Sequence, residues 1–197
     1  DLDPAVTFGC GQCFRWNADE NGIYTGVAFG YPARVWTENG RGYLRSAAPD
    51  ELWREYFDLD RDYAAATRSF DGGEYLAQCV EFGRGIRILR QDRWEALCSF
   101  IISQCNNTRI KGIVERLCAM FGDELEFEGE RFYSFPPAER LAGLQAADLA
   151  PLRCGYRAPY IIDAAAAVAS GALELDRLAA EDGTAAKKEL LKLNGVG

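Results

Sequence analysis

The 197-residue sequence predicts an α+β fold, with an antiparallel sheet first and a helical region after it. Three observations carry this. Residues 10–46 hold short runs rich in aromatic and β-branched residues, broken by Asn21-Gly22 and Asn39-Gly40, the strongest short hairpin signals. After residue 90, apolar residues recur at helical spacing. The two patterns follow one another and do not alternate, which disfavours a parallel sheet with crossover helices.

Cys13–Trp16, Ile23–Phe29, Arg34–Thr37 and Tyr43–Arg45 read as strands of a meander. Pro49-Asp50-Glu51 opens a helix through Phe57, with proline in the first turn and acids near the positive end of the helix dipole. Asp92 and Glu95 form a capping-box pattern. Trp94, Leu97, Cys98, Ile101 and Ile102 then share one helix face, and Ile110, Ile113, Val114, Leu117, Cys118 and Phe121 share another that stops at Gly122. The polar link 103–108 between them reads, taken alone, as capping. Residues 123–135 are acidic and aromatic and read as a loop, and Pro136-Pro137 starts a short helix. Leu152–Tyr156 is a tight turn, Ala158–Ser170 an alanine-rich helix ending at Gly171, and Ala185–Leu193 the last helix. Two domains are expected: 1–83, a sheet with helices, and 84–197, all helical.

Composition excludes several functions. No run approaches the ~20 apolar residues of a membrane span, and the acidic Asp1–Pro4 stretch does not look like a signal peptide. Seven cysteines at irregular spacing fit reduced thiols better than a disulfide framework. Cys10 and Cys13 form one isolated Cys-x-x-Cys without the further ligands a zinc site needs, so no metal site is expected. There is no histidine, which removes Ser-His and Cys-His nucleophile schemes. Net charge is −8, yet the distribution is uneven. Residues 1–83 carry seven basic and fourteen acidic side chains, whereas residues 84–116 carry seven basic and three acidic. A basic stripe of this kind is either a solvated face or a phosphate-binding one.

Several segments, taken in order, resemble the 8-oxoguanine DNA glycosylase family of the helix-hairpin-helix superfamily. They are Gly11-Gln12-Cys13-Phe14-Arg15-Trp16, Tyr56–Asp60, Gly85–Asp92, Ser99–Cys118, Cys154–Tyr160 and the closing Leu191–Gly197. The resemblance implies an N-terminal antiparallel sheet followed by an all-helical glycosylase domain. It also implies a base-excision-repair enzyme, with abasic-site lyase activity, that removes 8-oxoguanine opposite cytosine after flipping it from the duplex. Damaged double-stranded DNA is the implied partner. The protein is expected to act as a monomer, away from membranes, in the cytoplasm, at the nucleoid of a prokaryote or in the nucleus of a eukaryote.

By this resemblance Tyr156 is the wedge beside the vacated position, while Arg157 and Arg109 donate to the estranged cytosine. A guanidinium fork suits the O2 and N3 acceptors of that base. Asn106 and Asn107 are loop contacts to DNA. The loop departs from the family: Cys105 stands at its first asparagine, and Thr108 alone precedes Arg109, where two residues are usual. The Gly11 carbonyl reads the N7–H of the oxidised base, a donor where guanine has an acceptor. That difference is worth about 1–3 kcal/mol. Phe100 lies near the lesion pocket. Gly195 and Gly197 let backbone N–H groups approach a phosphate. No cofactor is required, although the family can hold a monovalent cation at the hairpin.

The family's nucleophilic lysine follows two residues after the last hairpin glycine, and an aspartate follows later. Neither is within these 197 residues, so the chain is expected to be a C-terminally truncated glycosylase that is inactive by itself. Read without the resemblance, Gly155-Tyr156-Arg157 is an aromatic packed after a turn, Gly11 a bend, Phe100 a core residue and the last glycines a helix cap. The competing functional readings are a superfamily relative that prefers another damaged base, such as an alkylated purine, and a non-catalytic DNA-binding module.

Overall fold

A computed structural model describes residues 2–70, 72–104, 106 and 108–196. The four-stranded sheet precedes most of the helices, as predicted, but a helix opens the chain and a second strand pair lies among the later helices. The chain forms two compact units, residues 1–27 with 31–91, and residues 28–30 with 92–197.

The first unit opens with α1 (Pro4–Gly9), which the sequence reading missed. Asp3 caps it through its carboxylate, accepting from Ala5 N at 2.8 Å, and proline takes the first helical position. The sheet is a meander of order β1 (Asn17–Ala18), β2 (Tyr24–Ala28), β3 (Tyr31–Glu38), β4 (Arg41–Ser46), of which β2, β3 and β4 fall on the strands read from sequence and β1 does not. Asn39 and Gly40 both adopt positive φ (50° and 73°), the tight-turn geometry that Asn-Gly favours. Cys13–Trp16 is not a strand. Gln12 holds the chain in a bend there, and Trp16 turns into the core, stacked on Phe8 with centroids 4.4 Å apart. The Trp16 indole N–H donates to Tyr56 Oη at 2.8 Å, so the polar edge of a fully buried ring is satisfied.

Tyr56 and Trp53 come from α2 (Asp50–Tyr56). The following helices α3 (Tyr63–Arg68) and α4 (Gly73–Phe82) bury no residue among those described. Segment 85–91 belongs to this unit because its backbone is tied there. Asp3 N and the Thr7 hydroxyl donate to the Gly85 carbonyl, and Arg90 N donates to the Tyr56 carbonyl. Asp58, only 7% exposed, accepts from Arg90 Nε at 2.9 Å and from Tyr63 Oη at 2.9 Å. The division therefore falls after Gln91 and not at residue 83.

In the second unit α5 (Arg93–Ser103) is capped by Asp92, whose carboxylate accepts from Glu95 N at 2.8 Å. Its buried face is Trp94, Leu97, Cys98, Ile101 and Ile102, and that of α6 (Ile110–Phe121) is Ile110, Ile113, Val114, Leu117 and Cys118. Residues 123–135, expected as a loop, contain a hairpin of β5 (Glu124–Phe127) and β6 (Glu130–Tyr133). Its turn places Glu128 and Gly129 at positive φ, a conformation for which Glu-Gly is a weaker signal than Asn-Gly. Next come α7 (Ala138–Ala142), two 3₁₀ turns at Ala150–Leu152 and Gly155–Arg157, α8 (Ala158–Ala169), α9 (Leu175–Ala180) and α10 (Gly183–Leu190). The last helix thus starts and ends earlier than expected, capped by Asp182. No helix among the described residues is long and apolar enough to cross a membrane.

Candidate nucleic-acid interface

In the second unit the chain places Tyr156 at the tip of a tightly braced turn. Arg153 and Gly155 both adopt positive φ (55° and 65°), reversing the chain just before the tyrosine. Two arginines of the α6 region grip this turn. Arg116 Nη2 donates to the Leu152 carbonyl at 2.7 Å, and Arg109 Nη2 donates to the Arg153 carbonyl at 2.9 Å. Leu152 and Cys154 are buried beneath the tip, while Tyr156 stands 62% exposed. Its ring meets Tyr160 edge-on, with centroids 6.0 Å apart. An exposed aromatic on a buried, hydrogen-bonded base has the build of an insertion device: the ring can enter a stack without the turn yielding.

Arg157 is adjacent but turned inward. It is 5% exposed. Its Nη2 donates to the Gln104 carbonyl and, at 3.0 Å, to Tyr156 Oη, and its guanidinium carbon lies 4.3 Å from the Tyr156 ring centroid. Its Nε is buried with no hydrogen-bond partner among the described residues. An unsatisfied guanidinium N–H is costly, so a ligand acceptor reaching this group gains more than it would at a solvated arginine.

Asn106, expected as a DNA contact, is instead built into the frame. It is 5% exposed, its amide donates to the Ile102 carbonyl at 3.0 Å, and its own carbonyl accepts from Arg109 N and Ile110 N. It closes α5 and opens α6 (the capping reading of this link), which explains why an amide is needed there. Asn107 and Gly197 lie outside the described residues. Arg109 is exposed at the start of α6, with part of its guanidinium committed to Arg153. Phe100 is 49% exposed on α5 and is not a core residue.

Gly195 follows α10 with φ +85°. A Cβ there would stand 2.8 Å from Tyr160 Cδ2, so both the backbone angle and the close approach require glycine. The Gly195 carbonyl accepts from Gln104 Nε2. Gln104, Arg116 and Arg153 were not singled out from sequence, because their roles rest on main-chain partners far along the chain.

In the first unit Gly11 has φ +87° and is exposed. No side chain or backbone group crowds its Cβ position. The neighbouring Gln12 is clamped: its amide donates to the carbonyls of Thr7 and Arg87 at 3.0 and 2.8 Å and accepts from Leu89 N at 2.9 Å. Gln91 Nε2 donates to the Gln12 carbonyl at 2.7 Å. A polar residue in an aromatic run was the available signal for this clamp.

Charged groups elsewhere are ordinary. Lys192 pairs with Glu189 at 2.6 Å, and Lys187 and Lys188 are exposed on α10, so none of these three lysines stands in a buried site. Burial pushes the thiols of Cys98 and Cys154 up, away from thiolate chemistry. Cys10 is exposed and Cys13 buried. Among the described residues, no group of three or more acidic or cysteine side chains is arranged to hold a metal.

Comparison with known proteins gives a consistent picture. Residues 1–97 match the N-terminal domain model of 8-oxoguanine DNA glycosylase. The structure of MBOgg1 in complex with a low-affinity DNA ligand is 40% identical, with a TM-score of 0.94, over 100% of this chain and 69% of that one. A Clostridium acetobutylicum 8-oxoguanine glycosylase/lyase, in complex with double-stranded DNA containing cytosine opposite 8-oxoG, is 36% identical with the same TM-score and coverage. A Bacillus subtilis DNA-3-methyladenine glycosylase is 30% identical over 167 residues, 79% of this chain. The chain spans about half (55%) of that relative's length.

Proposed function

The chain belongs to the 8-oxoguanine DNA glycosylase family, and on that premise we propose that it grips damaged duplex DNA at an extruded base. The observation that carries this is the exposed Tyr156 on its braced turn, with the buried, partly unsatisfied guanidinium of Arg157 beside it. Tyr156 enters the stack where the damaged base has left, and Arg157 meets the orphaned partner. Cytosine answers a guanidinium with two adjacent acceptors. Arg109 adds a positive charge at the same turn. The Gly11 carbonyl, next to the clamped Gln12, accepts from N7–H of 8-oxoguanine and opposes the N7 lone pair of guanine.

The whole enzyme's reaction is proposed as excision of 8-oxoguanine opposite cytosine followed by strand cleavage. Lys187, Lys188 and Lys192 do not supply the nucleophile, since they sit on the surface of α10 or pair with Glu189. We infer that residues 1–197 contribute recognition of the damaged duplex. The Gly195 carbonyl accepts a protein amide, so the hairpin is held by Gln104 at a position where the family resemblance suggests a monovalent cation.

Affinity for duplexes carrying a stable abasic analogue opposite cytosine, against the same duplex fully paired, tests this reading. Unstacking a base costs a few kcal/mol. A duplex that already lacks the base spares that cost, so it binds at least about tenfold tighter. Equal binding to both duplexes overturns the reading. Likeness to the B. subtilis protein favours a second reading, an alkylated purine. It replaces the first if a 3-methyladenine duplex outcompetes an 8-oxoguanine duplex.

A further inference from the structure

Gln104 ends α5 in an extended conformation (φ −56°, ψ 119°), which takes its carbonyl out of the helix ladder. That carbonyl accepts from Arg157 Nη2, while the side-chain amide of the same residue donates to the Gly195 carbonyl. Gly195 lies directly against the Tyr160 ring, Tyr160 meets Tyr156 edge-on, and Tyr156 Oη accepts from Arg157. The contacts close on themselves: Gln104, Arg157, Tyr156, Tyr160, Gly195 and back to Gln104. Within this circuit Gln104 joins the hairpin to the wedge turn through two chemically separate groups, its carbonyl on the arginine and its amide on the glycine.

We propose that Gln104 is a positioning residue for reading the orphaned base: its amide fixes the hairpin at Gly195 and its carbonyl fixes the Arg157 guanidinium. Grip on the DNA backbone and reading of the base opposite the lesion are then set to one geometry before DNA arrives. Such preorganisation lowers the ordering cost of binding and sharpens discrimination. The inference rests on the proposed function, since it requires a duplex with an orphaned base.

Two substitutions separate the roles of the amide. Gln104→Met keeps the length and removes the donor. Gln104→Lys keeps a donor able to reach the Gly195 carbonyl. The readout is the ratio of affinities for duplexes with an abasic analogue opposite cytosine and opposite adenine, which added charge on the lysine variant leaves alone. A wrong base costs about 1–3 kcal/mol, so the unsubstituted chain shows a ratio of about five- to a hundredfold. Without the tie to Gly195 the end of α5 is no longer pinned, and the carbonyl that holds Arg157 is free to shift, so Gln104→Met is expected to bring the ratio to within about twofold of unity and to speed amide exchange at Val196. Gln104→Lys is expected to preserve both.

A Met variant that keeps the ratio, or a Lys variant that loses it as Met does, overturns the proposal, as does an unsubstituted chain with no ratio. If Gln104→Met shows no cooperative melting transition, Gln104→Glu must give the collapsed ratio in its place. It keeps the length and sets an acceptor against the carbonyl, so a retained ratio there also overturns the proposal. Should the unsubstituted chain bind abasic-analogue and paired duplexes equally, the functional reading itself fails. Preference for the abasic-analogue duplex with a ratio indifferent to Gln104 removes only this inference.

Discussion

Gly195→Ala tests whether the hairpin is shaped by its contact with α8. Two costs can be worked from the structure. An L-residue at φ +85° pays roughly 1–2 kcal/mol for the left-handed region. The new Cβ would also lie 2.8 Å from Tyr160 Cδ2 and 3.3 Å from Cγ. Tyr160 cannot simply swing away, because the atoms met include the near end of its side chain, Cγ at 3.3 Å and Cβ at 3.4 Å. Forcing a methyl group into such a contact costs about 1–3 kcal/mol. Together the substitution disfavours the native hairpin by about 3 kcal/mol, or roughly a hundredfold. Because α10 buries none of its described residues, the hairpin opens locally before the core unfolds. The expected signature is therefore amide exchange at Val196 and Leu193 faster by up to about a hundredfold, with a melting temperature lowered by only a few degrees. Affinity for the abasic-analogue duplex falls by up to the same factor. Gly11→Ala is the built-in comparison: its φ is +87°, but nothing stands within 4 Å of the new Cβ, so only the conformational cost applies. If Gly195→Ala exchanges like the unsubstituted chain, or Gly11→Ala disturbs its own segment as strongly, the packing argument is wrong.

Other outcomes follow from the same geometry. Tyr156→Ala removes a side chain that is 62% exposed, so its melting temperature stays within about 2 °C, while affinity for the abasic-analogue duplex drops about tenfold through lost stacking. A melting temperature lowered by ten degrees would make Tyr156 a structural residue. Asp58 controls acid stability. Burial pushes its carboxyl up, but hydrogen bonds from Arg90 and Tyr63 and the Arg90 charge outweigh this and hold it below the ordinary aspartate range. A carboxyl depressed by folding stabilises the protein above its unfolded pKa of about 3.9 and loses that contribution as pH falls through the folded value. Melting followed from about pH 6 to about pH 3 should show Asp58→Asn less stable at the upper end and less sensitive to acid, and parallel curves would refute this. Thiol labelling of the native chain should modify exposed Cys10 and Cys79 well before Cys98, Cys118 and Cys154, and early modification of Cys154 would contradict the buried turn.

Much of the architecture was legible because its causes are local. The apolar faces of α5 and α6, the Asp92 cap and the Asn39-Gly40 turn each follow from residues a few positions apart. The β5–β6 hairpin was missed because its strands are only four residues long and Glu-Gly fills a turn usually marked by Asn-Gly. Trp16 looked like a strand residue but is drawn into the core by Phe8 and Tyr56, partners remote in sequence. The same division holds at the site. Tyr156 and Gly195 were singled out by motif, and the structure gives the glycine a steric reason. Asn106 caps a helix, a role that a motif does not tell from that of an amide facing solvent. Arg157 was found, but not its inward seat on Gln104, and Gln104 itself carries no local signal. What sequence could not supply was the set of main-chain carbonyls these side chains would reach.

The most direct test of the account is a crystal structure of the chain bound to a duplex with an abasic analogue opposite cytosine. The account predicts the Tyr156 ring inserted beside the vacant position and a guanidinium nitrogen of Arg157 within about 3 Å of cytosine O2 or N3. DNA bound away from the 153–157 turn, or an intact stack with Tyr156 outside it, would contradict it.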